Sequence, residues 1–155
     1  MKKQNGATLI EVLVSVLVIA IGLLGIAATQ MMTLKNSSGS NQRYMAALAA
    51  QEIVERIRAN PSGLEQGGYD GTVDGDETVT NRCTSACSVT QLAEFDLYEW
   101  GQLLKTNLPS GAGVITRAGE EVTVTVSWVQ QHTGEDYGGA DGGTENASFS
   151  MSLEL

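Results

Sequence analysis

A single carboxylate at the mouth of an unbroken apolar run constrains this chain more than any other feature. From Val12 to Ala28 the sequence reads VLVSVLVIAIGLLGIAA, with Ser15 as its only polar side chain. With Leu9 and Ile10 the stretch matches the roughly 20 residues that cross a hydrocarbon core. Glu11 stands at its start, where a carboxylate costs roughly 2.5–3.5 kcal/mol on insertion scales and therefore needs a partner. Ahead of it lie Lys2, Lys3 and Gly6. The two lysines favour a cytoplasmic N-terminus and an exported remainder, by the positive-inside rule.

A cut after Gly6 would supply the partner, because Ala7 would then carry a free ammonium group one helical turn from Glu11. The same carboxylate would also reach the ammonium of a neighbouring copy in a bundle of such helices. Lys2 and Lys3 followed by Gly6-Ala7-Thr8-Leu9-Ile10-Glu11 resemble the class III signal of type IV pilins and pseudopilins. The resemblance implies cleavage between Gly6 and Ala7 by a prepilin peptidase, N-methylation of Ala7, retention of the apolar segment, and Glu11 as an assembly charge. The competing readings are a plain membrane anchor, which leaves Glu11 beside a glycine unexplained, and a conventional signal peptide with a small-x-small site at Gly25-Ile26-Ala27. The signal peptide predicts a mature N-terminus near Thr29 and no dependence on Glu11. Against it, the run exceeds the usual apolar region of roughly 7–15 residues and carries Glu11 near its start.

The formal net charge is −9, with nine Lys and Arg against eighteen Asp and Glu. The basic residues beyond Lys2 and Lys3 are scattered, without a stripe or aromatic interleaving, so nucleic acid is not an expected partner. Past the apolar segment roughly 125 residues remain, enough for one modest core. Cys83 and Cys87, the only cysteines, frame C-T-S-A-C. In an oxidising compartment they read as a disulfide closing a tight loop, stabilising by roughly 2 kcal/mol. That bond argues against a regular helix at 83–87, because helical residues four apart hold their Cβ atoms too far apart. A zinc site is the alternative, but two thiols and His132 fall short of a closed shell.

Residues 29–42 are polar, and Asn36-Ser-Ser-Gly-Ser-Asn41 has poor helix propensity, which suggests a kink or loosened turn. From Arg43 to Asn60 the spacing is helical: Met45, Ala46, Ala49, Ala50, Ile53, Val54 and Ile57 share one face. Asn60-Pro61-Ser62-Gly63 stops it. A continuous helix from Ala7 to Ala59 would run roughly 80 Å. Residues 61–82, with five glycines among acidic side chains, read as a long loop. Gln91 to Leu108 reads as a second helix with Leu92, Phe95, Trp100, Leu103 and Leu104 as apolar positions and Ser88 or Thr90 as its cap. Val114–Arg117 and Glu121–Gln130 form a hairpin through Ala118-Gly119-Glu120. Val122, Val124, Val126 and Trp128 share one face of its second strand, and Ala147, Phe149, Met151, Leu153 and Leu155 alternate with serines in a last strand. A small antiparallel sheet of three or four strands laid on the amphipathic half of a long helix follows, an α+β pilin-like fold.

Helix, Trp100, Leu108-Pro-Ser-Gly-Ala-Gly113, then Val122-Thr-Val-Thr-Val-Ser-Trp128 resemble PilV-type minor pilins, the type IV pilus modification proteins, as does the helix ending Gln51-Glu52-Ile53-Val54-Glu55-Arg56-Ile57-Arg58-Ala59-Asn60-Pro61. That resemblance implies a minor pilin that primes type IV pilus assembly in the inner membrane with other minor and major pilins, its head periplasmic and its place in the filament near the tip. It divides the chain into a leader (1–6), a membrane or filament-core half-helix (7–28), an amphipathic half-helix (29–60) and a head (61–155). The leader fits a minor pseudopilin of a type II secretion system equally. An alternative of another class is an exported calcium-binding domain with a conventional signal peptide. It would use Asp70-Gly-Thr-Val-Asp74-Gly-Asp76-Glu77 with Glu135, Asp136 and Asp141, although the spacing departs from an EF-hand. No catalytic constellation is present, so neither enzymatic activity nor a cofactor is expected.

Overall fold

The computed structural model describes residues 8–79, 82–84, 86–131 and 143–154. Lys2, Lys3, Gly6, Ala7, His132, Glu135, Asp136, Asp141 and Leu155 lie outside them. The chain divides into two units, residues 1–37 and 38–155.

Helix α1 (Leu9–Ala59) begins where the amides of Glu11 and Val12 both donate to the Thr8 carbonyl. In its apolar part the hydroxyls turn back on their own helix: Ser15 Oγ donates to Glu11 O, Thr29 Oγ1 to Ile26 O and Thr33 Oγ1 to Thr29 O. Such back-bonding leaves no hydroxyl seeking water from an apolar surface. Residues 36–41 are assigned helix throughout, despite their poor propensity. Propagating a helix adds one bond per residue fixed, so a few poor helix formers between two strong stretches are carried.

The second unit forms around the other part of α1. Ala46, Ala49, Ala50, Ile53, Val54 and Ile57 are buried, the stripe expected from their spacing. Asn60 then ends α1 and starts α2 (Pro61–Glu65): its Oδ1 accepts the Gly63 amide, and Pro61 takes the first turn, where its missing N–H costs nothing. A short strand, β1 (Gly71–Val73), follows. Residues 61–82 are therefore not one loop, because a cap and an edge pairing give their backbone partners that composition does not reveal.

Helix α3 (Val89–Asn107) opens with a capping box, Ser88 accepting from the Gln91 amide while the Gln91 side chain accepts from the Ser88 amide. Its buried positions are Ala93, Asp96, Trp100, Gly101 and Leu104, whereas Leu92 is exposed and Phe95 and Leu103 are half-buried. The expected apolar face is thus rotated. Trp100 sets it: the ring sits where a Cβ on Gly113 would come within 2.1 Å of it, and its Nε1–H donates to the Ala49 carbonyl at 2.9 Å. With that face inward, Asp96 comes inward too.

The sheet is antiparallel in the order β1-β2-β3-β4, with β2 Ala112–Ala118, β3 Glu121–Gln131 and β4 Thr144–Glu154. Gly119, at φ +70°, takes the first place in the two-residue loop joining β2 and β3, the glycine preference of a type II′ turn. Val122, Val124, Val126 and Trp128 face the core with Ile115 and Val73, meeting α1 and α3 in one buried cluster. The fold is α+β, a long N-terminal helix with a small antiparallel sheet.

Candidate functional site

The first unit is defined by what it leaves uncovered. From Leu9 to Leu34 the large apolar side chains are 48–79% exposed. A contiguous apolar surface of this extent marks contact with a membrane or with other chains. Glu11, also exposed, is the one acidic residue in the first turn of α1, at the positive end of the helix dipole. The Ala7 ammonium expected to pair with it falls outside the described residues. Gly22 and Gly25 have nothing within 4 Å of where a Cβ would stand, so close approach by another helix is sterically open there.

The second unit carries a polar network that the sequence reading did not find. Tyr69 donates its hydroxyl to Asp96 Oδ2 at 2.6 Å and accepts from Asn60 Nδ2 at 3.2 Å. Asn60 Nδ2 also donates to the Val89 carbonyl at 2.8 Å. Arg56 donates to Asp96, to Glu99 at 2.6 Å and to Glu52 at 2.8 Å. Burial alone would lower the Arg56 pKa, but hydrogen bonds to Glu99 and Glu52 outweigh it and hold the guanidinium more firmly charged than usual. Burial, then the hydrogen bond to Asp96, raise the Tyr69 pKa above the ordinary tyrosine value. The network ties α1, α2, the loop before β1 and α3 together at one end of the core. A charged residue within the Ala93–Trp100–Leu104 spacing was its signal in the sequence.

The acidic segment at 74–77 is held by local hydrogen bonds. Glu77 accepts the amides of Asp74 and Gly75 at 2.7 and 2.9 Å, and Asp74 Oδ1 accepts the Asp76 amide. Lys105 Nζ is ion-paired with Asp76, and that hydrogen bond raises the lysine pKa. An ammonium and backbone amides thus hold oxygens that a calcium ion would need. Among the described residues no group of three or more His, Cys, Asp and Glu is placed to hold a metal. Cys83 and Cys87 are joined in a disulfide with Cα atoms 5.6 Å apart, in non-helical backbone just ahead of the Ser88 cap.

Residues 1–27 match the family model described as the prokaryotic N-terminal methylation motif. Residues 28–98 match the Tt1218-like model, described as type IV pilin Tt1218. No curated protein and no solved structure gives a significant match. The two models adjoin and run from residue 1 into α3, and this chain belongs to the type IV pilin superfamily. It is a pilin-type structural subunit carrying an N-methylation motif, in a family that is generally not enzymatic. The motif implies processing by prepilin peptidase and assembly with other pilins. With the exposed apolar helix it points to membrane anchoring and incorporation into pili.

Proposed function

We propose that this chain is a minor pilin of the PilV type, a subunit that helps prime type IV pilus assembly. Prepilin peptidase removes residues 1–6 between Gly6 and Ala7, and Ala7 is N-methylated. Residues 7–28 then serve as membrane anchor and filament core, 29–60 as the head-bearing half of the helix, and 61–155 as a periplasmic head. The observation that carries this reading is Glu11, one carboxylate in the first turn of an otherwise apolar and fully exposed stretch. A charge there is retained at an energetic cost and is explained by pairing with the N-terminal ammonium of Ala7, its own or a neighbour's.

Mass spectrometry of the mature N-terminus from the membrane fraction tests the processing step. A peptide starting at N-methylated Ala7 is expected, and a start near Thr29 overturns the assignment. Glu11→Leu is expected to leave processing and membrane insertion intact while filament incorporation drops about tenfold or more, as loss of a desolvated charge pair requires. Deletion of the gene is expected to reduce piliation; an effect on protein secretion alone would instead place the chain among pseudopilins.

A further inference from the structure

Strand β4 (Thr144–Glu154) is an edge strand: one side pairs with β3 over its whole length, and among the described residues its other side pairs with nothing. Natural sheets guard such an edge with lysines, prolines, bulges or short strands. The far edge of this sheet is short, the three residues of β1. From Asn146 to Leu153, by contrast, β4 reads NASFSMSL, with no charge and no proline, and the register with β3 runs without a bulge. Phe149, Met151 and Leu153 are only half-buried on the core side. On the other side Ser150 and Ser152 already pair their hydroxyls with Thr125 and Thr123 at 2.9 Å each. The edge therefore offers both backbone groups and an alternating side-chain pattern to one more strand.

One end of this edge carries a charge conflict. Glu121 and Glu154 stand directly opposite each other in register, and both are exposed. Like charges so placed repel, and none of the ion pairs among the described residues involves either. From residue 38 onward the chain holds six Lys and Arg against seventeen Asp and Glu, so a second copy is repelled. We infer that β4 is a strand-addition surface for a different, basic chain. The occupant is an extended segment that adds antiparallel as a fifth strand, with aliphatic residues toward the core, Ser or Thr outward, and a Lys or Arg beside Glu154. Main-chain hydrogen bonds supply the affinity, and the alternation with its terminal cation supplies the specificity. This surface stands independently of the priming role.

The test uses the full chain in detergent micelles with two acetylated, amidated peptides, KVTVTVTV and EVTVTVTV. Saturating KVTVTVTV is expected to slow hydrogen exchange at least about tenfold at alternate β4 amides, those facing the open edge, because strand addition engages every second residue. Glu154→Lys is expected to weaken KVTVTVTV about fivefold and to strengthen EVTVTVTV by a similar factor. Unchanged β4 exchange, or an identical response to both peptides, overturns the inference. So does a chain whose β4 amides are protected without peptide and lose that protection on dilution, since a second copy would then hold the edge.

Discussion

Residues 9–37 and 38–59 lie on the same helix, α1, and differ in almost everything except backbone conformation. The first stretch is built from Leu, Ile and Val, and leaves them all exposed. The second buries a stripe whose upper part is alanine: Ala46, Ala49 and Ala50. Within that stripe the Trp100 indole donates to the Ala49 carbonyl. The lesson is that helical structure does not say what a helix is for. Large aliphatic side chains on all sides of the helix suit a fluid apolar partner that conforms to any shape. Small side chains at chosen positions suit one rigid partner of fixed shape.

The sharpest way to break this comparison is to make one substitution in both stretches. Ile53→Ala, at a site with no exposure, is expected to cost about 2–5 kcal/mol of head stability, whereas Ile19→Ala changes it by less than about 0.5 kcal/mol. Urea denaturation in micelles, followed by tryptophan fluorescence, reads this cleanly, because both tryptophans lie in the head core. Equal losses in the two variants would mean that the stretches share one folding unit. Enlargement gives the next effect: Ala50→Leu should overpack the stripe and cost about 1–3 kcal/mol, while Ala27→Leu leaves the head melting unchanged.

The smallest expected effect concerns the polar end of the head, which the exposed stretch lacks. Tyr69→Phe removes the hydroxyl that joins Asn60 to Asp96 and is expected to cost about 1–2 kcal/mol at neutral pH. Folding raises the Tyr69 pKa, so the unfolded chain loses that proton first. The stability it contributes is full below about pH 10, the ordinary tyrosine value, and falls as pH rises beyond. Denaturation midpoints between pH 9 and 12 should therefore drop more steeply in the wild type than in Tyr69→Phe. Parallel curves would remove Tyr69 from the network's energetics.

Much of this was legible in one dimension because its physics is local or periodic. The membrane-length run, the charge at Glu11, the stripe from Ala46 to Ile57 and the alternation of β3 and β4 all follow from residue type and spacing, as does a cap at Ser88 or Thr90, of which the structure takes Ser88. The rotated face of α3 was not legible. Leu92 and Leu103 are as apolar as Leu104, and only the seat of Trp100 between Ala49 and Gly113 decides which of them turns inward. Nor were α2 and β1, whose residues read as loop until Asn60 caps one and β2 pairs the other. Asp96 shows the difference most plainly. Its charge suggests solvent, yet it is buried because Tyr69 and Arg56, 27 and 40 residues away in sequence, replace the water it loses. The sequence by itself determined the two long helices, the three longer strands and the charge at the mouth of the apolar run, since propensity, hydropathy and neighbouring charges act over a few residues. Only the tertiary structure decided which side chains close the core and which polar groups enter it, because burial depends on partners that the chain brings together only when folded.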